Sequence, residues 1–247
     1  MDGWFFWTMA GLAAALVGMS KGGLPVVGML GVPVLSLAIS PVAAAGLLLP
    51  VFVISDMFGL YAYRRDFDRR VVLIVAAGAT VGVGIGWATA RVVPETAVTV
   101  LVGLIGLVFA VYLLVRPDLA RVPKRADLAP GLFWSTIAGF TSFVSHAGAP
   151  PYQVFVLPLG LSKAVFAGTS TIAFAYINAI KLVPYHALGQ LSPDNLATAA
   201  LLIPIAAVAV FAGVRLVKVL PEALFFKLVA WALLLVSAKL IWDGVSA

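Results

Sequence analysis

Ser20-Lys21-Gly22-Gly23-Leu24-Pro25 interrupts the first apolar run of the chain, and Ser145-His146-Ala147-Gly148-Ala149-Pro150 interrupts a later one, 125 positions on. Each break places a serine, a basic or titratable residue, glycine and then proline inside sequence that otherwise reads as membrane helix. A second proline follows eight residues after the first, at Pro33 and at Pro158. Further out, Ser40 and Gly46 match Ser162 and Gly168, Asp56 matches Asn178, and Val93-Pro94-Glu95 matches Leu220-Pro221-Glu222. The matches keep their order, which argues for an internal repeat; the alternative is coincidence among apolar segments.

The breaks stand out because the rest is so apolar. Of 247 residues, 63% are hydrophobic and 11% charged, and the mean hydropathy is +1.11. A soluble domain needs far more polar surface. The expected fold is therefore an all-α integral membrane protein. Apolar segments run over 4–19, 24–39, 42–63, 71–91, 96–115, 132–145, 151–161, 164–186, 195–215 and 222–243. Six of them are about as long as a hydrocarbon core of roughly 30 Å requires. Three are short, 4–19, 132–145 and 151–161, and each lies beside a Gly/Pro break.

Basic residues assign the sides. Arg64, Arg65, Arg69 and Arg70 form one cluster, Arg116, Arg121, Lys124 and Arg125 a second, and Arg215 and Lys218 a third. The positive-inside rule makes all three cytoplasmic. The sparsely charged connections Arg91 to Glu95 and His186 to Asp194 then lie outside. With those sides fixed, 4–39 and 132–161 each begin and end on one face, as re-entrant hairpins, and three crossings follow each. Repeat 1 covers 1–115, a cytoplasmic linker 116–130, and repeat 2 131–247. An odd number of crossings per repeat inverts the second relative to the first, and both termini become periplasmic. Inverted repeats with short, Gly/Pro-broken segments at matching places mark secondary transporters, and the breaks point to the binding site.

At each break, the arm that follows presents unpaired backbone N–H groups and the positive end of a helix dipole. Pro25 and Pro150 suit a first helical turn. A cation beside such an end makes an anion site. The candidate substrate-binding residues are Ser20, Lys21, Gly22, Gly23, Ser145, His146, Gly148 and Gln153. Backbone N–H groups at 22–26 and 148–153 are the candidate donors. Asp56, Thr169, Ser170, Asn178 and Lys181 are candidate coupling or pathway residues, because ionisable and polar groups inside a membrane are costly and by default functional. Plainer readings exist for each. Lys21 can snorkel to an interface, His146 can be a structural hydrogen-bonding residue, Ser20 and Ser145 can cap the following arms, and the glycines can serve helix packing. Asp56 can relay protons or pair with Lys181.

Several chemistries are excluded or disfavoured. The absence of cysteine removes disulfides and thiolates. No Walker motif is present, and two histidines without cysteine argue against structural zinc. A triad of Ser145, His146 and Asp56 is disfavoured because adjacent serine and histidine rarely face one another. The chain is thus not read as an enzyme, and no cofactor is expected beyond proton coupling through His146 or Asp56. The net charge of +6 reports loop topology rather than nucleic-acid binding. Met-Asp-Gly-Trp lacks a basic n-region, so the N-terminus is read as mature. Expected partners are a small anion and the lipid bilayer, with a homodimer admitted and no nucleic acid.

The Ser20–Pro25 tip with Pro33 beyond it, the second Gly/Pro tip at 145–151, the chain length and the basic central loop together resemble the TauE/SafE family, the sulfite exporters. The resemblance extends over nearly the whole chain and lies in the arrangement, since no single motif is long. It implies a carrier of small sulfur-containing or organic anions, such as sulfite, sulfoacetate and related sulfonates, in the bacterial inner membrane. Members often have a glycine-rich run at the first tip. Here Lys21 precedes Gly22-Gly23, which leaves the particular anion open. The rival readings are a passive anion channel and a membrane enzyme or assembly subunit without transport of its own.

Overall fold

Ser40, Asp68, Ser162 and Ser192 each open a long helix, accepting the backbone N–H three residues on, at 3.4, 2.9, 3.5 and 3.2 Å. These are N-caps that satisfy one of the free donors of a first turn. In this computed structural model, residues 3–90, 92, 94–115 and 124–246 are described. Arg91, Val93, Arg116 and Arg121 of the sequence argument lie outside them, as does 116–123 of the expected linker.

Ten α-helices occur among the described residues: α1 (Trp4–Lys21), α2 (Gly31–Leu35), α3 (Pro41–Tyr63), α4 (Arg69–Thr89), α5 (Glu95–Val115), α6 (Leu128–Ser145), α7 (Ala149–Val156), α8 (Lys163–Ala187), α9 (Pro193–Val219) and α10 (Glu222–Ser246). No strand occurs among those residues. α3 from Val42, together with α4, α8, α9 and α10, is long and apolar enough to cross a membrane. At 1.5 Å rise per residue, even the 21 residues of α4 reach about 32 Å. The protein is an integral membrane protein, and large apolar side chains such as Leu73, Val108, Val208 and Trp242 are exposed on its outside.

The first hairpin differs from expectation in its second arm. Residues 24–39 do not form one helix. Gly23 adopts φ +109°, Val27–Leu30 is a 3₁₀ turn, and only Gly31–Leu35 is α-helical. Gly28, Gly31 and Pro33 interrupt what hydropathy alone reads as continuous, since glycine weakens a helix and proline removes a donor. The segment nevertheless doubles back along α1: a Cβ on Gly28 would meet Ser20, and one on Gly31 would meet Val17 and Ala13. In the second half, α6 ends at Ser145 with His146 as its cap, α7 turns back, and a 3₁₀ turn over Leu157–Leu159 follows. The Lys124 N–H donates to Pro158 O at 2.9 Å, so this hairpin closes beside its own beginning.

Packing pairs exchange between the halves. α4 lies on α6 and α9 on α1; α3 contacts α9, and α8 contacts α4; α3 lies on α8 and α5 on α10. Glycines set the close approaches. The Cβ missing at Gly22 would lie 2.6 Å from the Gly213 Cα, which lets α1 and α9 touch backbone to backbone. The directions are informative. A Cβ on Gly46, near the start of α3, would meet Gln190 beyond the end of α8, whereas Gly168, near the start of α8, faces Tyr63 and Asp66 at the end of α3. α3 and α8 are therefore antiparallel. So are α5 and α10, because Gly103 faces Ile241 and Gly244 faces Val100.

Three basic segments meet at one end of the bundle. Arg70 Nε donates to Ala126 O at 3.0 Å. The Asp68 N–H donates to Thr169 Oγ1 at 2.9 Å, and Lys163 Nζ donates to Lys218 O at 3.2 Å.

Candidate functional site

Phe52, Asp56, Gly59 and Tyr63 are spaced four, three and four residues apart, and so form one stripe along α3. Phe174, Asn178, Lys181 and Tyr185 repeat that spacing on α8, 122 positions later. The two broken hairpins dock against these stripes.

Lys21, the last residue of α1, puts Nζ 2.8 Å from Asp56 Oδ1 with both side chains buried. Asn178 Nδ2 donates to Asp56 Oδ2 at 2.8 Å. The ammonium also lies 5.0 Å from the Phe52 ring centre and 5.9 Å from that of Phe174, within cation–π range. At the other tip, His146 ends α6 in the left-handed conformation, φ 54°, uncommon for a residue with a side chain. Its ring stacks on Phe52, centres 5.0 Å apart. Phe52 therefore touches both tips. Lys181 Nζ donates to Ser142 O at 3.0 Å and to Ser142 Oγ at 3.2 Å, and lies 3.1 Å from His146 Nδ1. As an ammonium, Lys181 can only donate; Nδ1 then accepts and the ring proton sits on Nε2. That proton faces the Tyr185 hydroxyl at 3.2 Å, which itself donates to Phe143 O at 2.9 Å.

A cavity of about 30 Å³ opens between the tips, lined by Ser20, Lys21, Ser142, His146, Ser170 and Asn178 among others. It has room for a water or two. Of the two buried lysines, Lys21 lines it, and Lys181 bonds to its lining residues Ser142 and His146. Lys21 is balanced by Asp56, while the partners of Lys181 at hydrogen-bond distance are neutral. Charge buried without full compensation is expensive.

The remaining candidates divide. Ser20 Oγ donates to Val17 O at 2.6 Å and Ser145 Oγ to Thr141 O at 3.3 Å, so both bond back into their own helices rather than capping the next arm. The N–H groups of Gly22 and Gly23 bond to carbonyls of α1, which removes them as ligand donors. Pro25 precedes a 3₁₀ turn rather than an α-helix, while Pro150 does sit in the first turn of α7. Gly148 is packed against Ala138 and Phe174. Thr169 bonds the α3–α4 loop, Ser170 lines the cavity and accepts from Tyr152 at 3.0 Å, and Thr171 donates to Lys21 O at 3.2 Å. Lys181 pairs with His146 and Ser142, and Asp56 pairs with Lys21 instead of Lys181. Gln153 is fully buried, and neither amide atom has a hydrogen-bond partner among the described residues.

Phe52, Phe174, Tyr63, Tyr185 and Ser142 did not emerge from the sequence reading. The offset of 122 that relates Asp56 to Asn178 would have found the first four.

A family model described as Sulfite exporter TauE/SafE matches residues 6–240. The chain belongs to the TauE/SafE family. Neither curated proteins nor solved structures yield a match. Membership of the sulfite exporter family points to a membrane transporter of the anion-exporter type.

Proposed function

We propose that this TauE/SafE protein is a secondary transporter that moves a small oxyanion, sulfur-containing or organic, across the bacterial inner membrane by alternating access. The observation that carries the reading is the pair of buried lysines where two broken hairpins meet, Lys21 paired with Asp56 and Lys181 bonded to Ser142 and His146. An entering anion competes with Asp56 for Lys21, and Asn178 keeps the displaced carboxylate hydrogen-bonded. That exchange makes Asp56 the place where proton and anion movement become linked.

Two inverted repeats, 1–115 and 131–247, provide the machinery. The antiparallel course of the repeat mates α3 and α8, and of α5 and α10, supports this reading, as does the exchange of packing pairs between the halves. The basic end of the bundle is assigned to the cytoplasm and the termini to the periplasm. No cofactor is required and catalysis of a covalent step is not part of the function.

Reconstitution in liposomes tests it. Purified protein loaded with unlabelled sulfite should accumulate labelled sulfite transiently by counterflow, with sulfate, thiosulfate, sulfoacetate and short carboxylates as competitors. A carrier gives counterflow because its site must bind and reorient. Downhill flux without counterflow would establish a channel, and no flux of any panel anion would remove the proposal.

A further inference from the structure

Tyr63 and Tyr185 occupy equivalent places, 122 positions apart, on mates that run antiparallel. Each is the last residue of its stripe. Each is buried, and each hydroxyl donates to a backbone carbonyl at the end of the helix that leads into its own hairpin tip. Tyr63 OH donates to Gly22 O at 2.6 Å, and Tyr185 OH to Phe143 O at 2.9 Å. Gly22 directly follows Lys21; Phe143 precedes His146 by one turn. A carbonyl at a helix C-terminus has no partner within its helix and needs one when buried. The tyrosines supply it from outside the helix.

The neighbours make these bonds closures. Beyond Tyr63 the chain turns into Arg64–Asp68, and this loop lies over the start of α8, where the Asp68 N–H meets Thr169 Oγ1. A Cβ at Gly23 would strike Tyr63 OH, Ala167 and Val217, so α3, α8, α9 and the first tip converge on this hydroxyl. At the other end, Tyr185 packs edge-on against Phe143 and His146, with ring centres 5.5 and 5.8 Å away. Both closures are formed, and the cavity between them is small.

We infer that Tyr63 and Tyr185 are paired positioning residues that set the sidedness of the site: release of the Tyr63 bond opens it at the basic end of the bundle, and release of the Tyr185 bond opens it at the opposite end. The inference rests on the inverted-repeat transporter reading. Each hydroxyl holds one tip to one span, and each also lies near a charged residue of the site, on α1 or α8. Tyr63 is bonded beside Lys21, which an anion pulls from Asp56. Tyr185 is bonded beside His146, whose other ring nitrogen is hydrogen-bonded to Lys181. Ligand binding at either lysine therefore bears on the adjacent latch.

The natural absence of cysteine allows a direct test. Ser170→Cys places one thiol in the cavity lining, and Arg65→Cys in the α3–α4 loop and Asp194→Cys just past the α8–α9 loop, in the first turn of α9, place single exposed thiols at the two ends. A membrane-impermeant maleimide is applied to right-side-out and inside-out vesicles. The loop thiols should label from opposite faces. In the Ser170→Cys background, Tyr63→Phe should raise the labelling rate from the Arg65 face alone, and Tyr185→Phe from the Asp194 face alone. The expected rise is about three- to tenfold, the shift from losing one buried hydrogen bond. Equal rises from both faces would mean general loosening and overturn the inference, as would no rise. Loop thiols that label from the same face would instead remove the inverted-repeat reading itself. The Phe rings keep the packing; should Tyr185→Phe fail to fold, Tyr63→Phe still decides, because only a latch confines the rise to one face.

Discussion

Lys21 and Asp56 form a buried ion pair, 2.8 Å between Nζ and Oδ1, that ties the broken end of α1 to the middle of α3. Asn178 holds the other carboxylate oxygen from α8, so three helices meet on one charge. Removing one member leaves the other charged and unpaired away from water.

Lys21→Met should therefore lower stability by about 3–5 kcal/mol, the usual cost of breaking a buried pair from one side. Lys21→Met combined with Asp56→Asn should recover most of that loss, because no charge is then orphaned. Thermal unfolding of the detergent-purified variants measures both. Anion stabilisation should be absent in both, which separates the structural role of the pair from its role in binding. A double variant as unstable as the single would show that the pair does not act as a pair.

Among the described residues, Lys181 has no carboxylate at hydrogen-bond distance; its acceptors are Ser142 and His146. Lys181→Met leaves neutral groups behind, and a buried neutral hydrogen-bonding group left unsatisfied costs about 1–3 kcal/mol. It should be clearly less destabilising than Lys21→Met while losing anion binding as fully. The check is the midpoint shift produced by a sulfite titration, since a ligand stabilises by mass action.

How far these residues were legible in the sequence depends on what made each visible. Lys21 and His146 stood out because charge, glycine and proline are conspicuous in an apolar run, and the repeat of those breaks located both tips. The Lys21–Asp56 pairing was not legible: the residues lie on different helices, and no local spacing says which lysine meets the carboxylate. Phe52, Tyr63, Phe174 and Tyr185 were hidden for a different reason. Aromatic residues in a membrane span look like packing, and only alignment of α3 with α8 separates them. The over-long helix at 24–39 came from reading hydropathy without the cost of Gly28, Gly31 and Pro33.

Helix packing gives a prediction independent of the site. A Cβ at Gly82 on α4 would collide with the Thr136 carbonyl on α6, whereas Gly84, two residues on, has open space where its Cβ would go. Gly82→Ala should force the helices apart and lower stability by about 1–3 kcal/mol or more, as overpacking does. Gly84→Ala should be neutral or slightly stabilising, since alanine is the better helix former. Unfolding midpoints of the two variants decide it; equal effects would mean that α4 and α6 do not touch along this face.

Gln153 separates function from stability. Its side chain is fully buried on α7, one turn beyond Pro150, and both amide atoms lack partners among the described residues. A buried amide without hydrogen bonds costs free energy, and an apolar residue of similar size removes that cost. Gln153→Leu should therefore raise the unfolding midpoint of the substrate-free protein. If the amide is held in reserve as a ligand for the anion in another state of the cycle, the same variant should transport more slowly at unchanged expression. Stability bought with lost transport is the pattern of a functional residue. A variant that is both more stable and fully active would make Gln153 a mere packing residue, and a less stable variant would mean that the amide has partners in the folded protein, such as bound water.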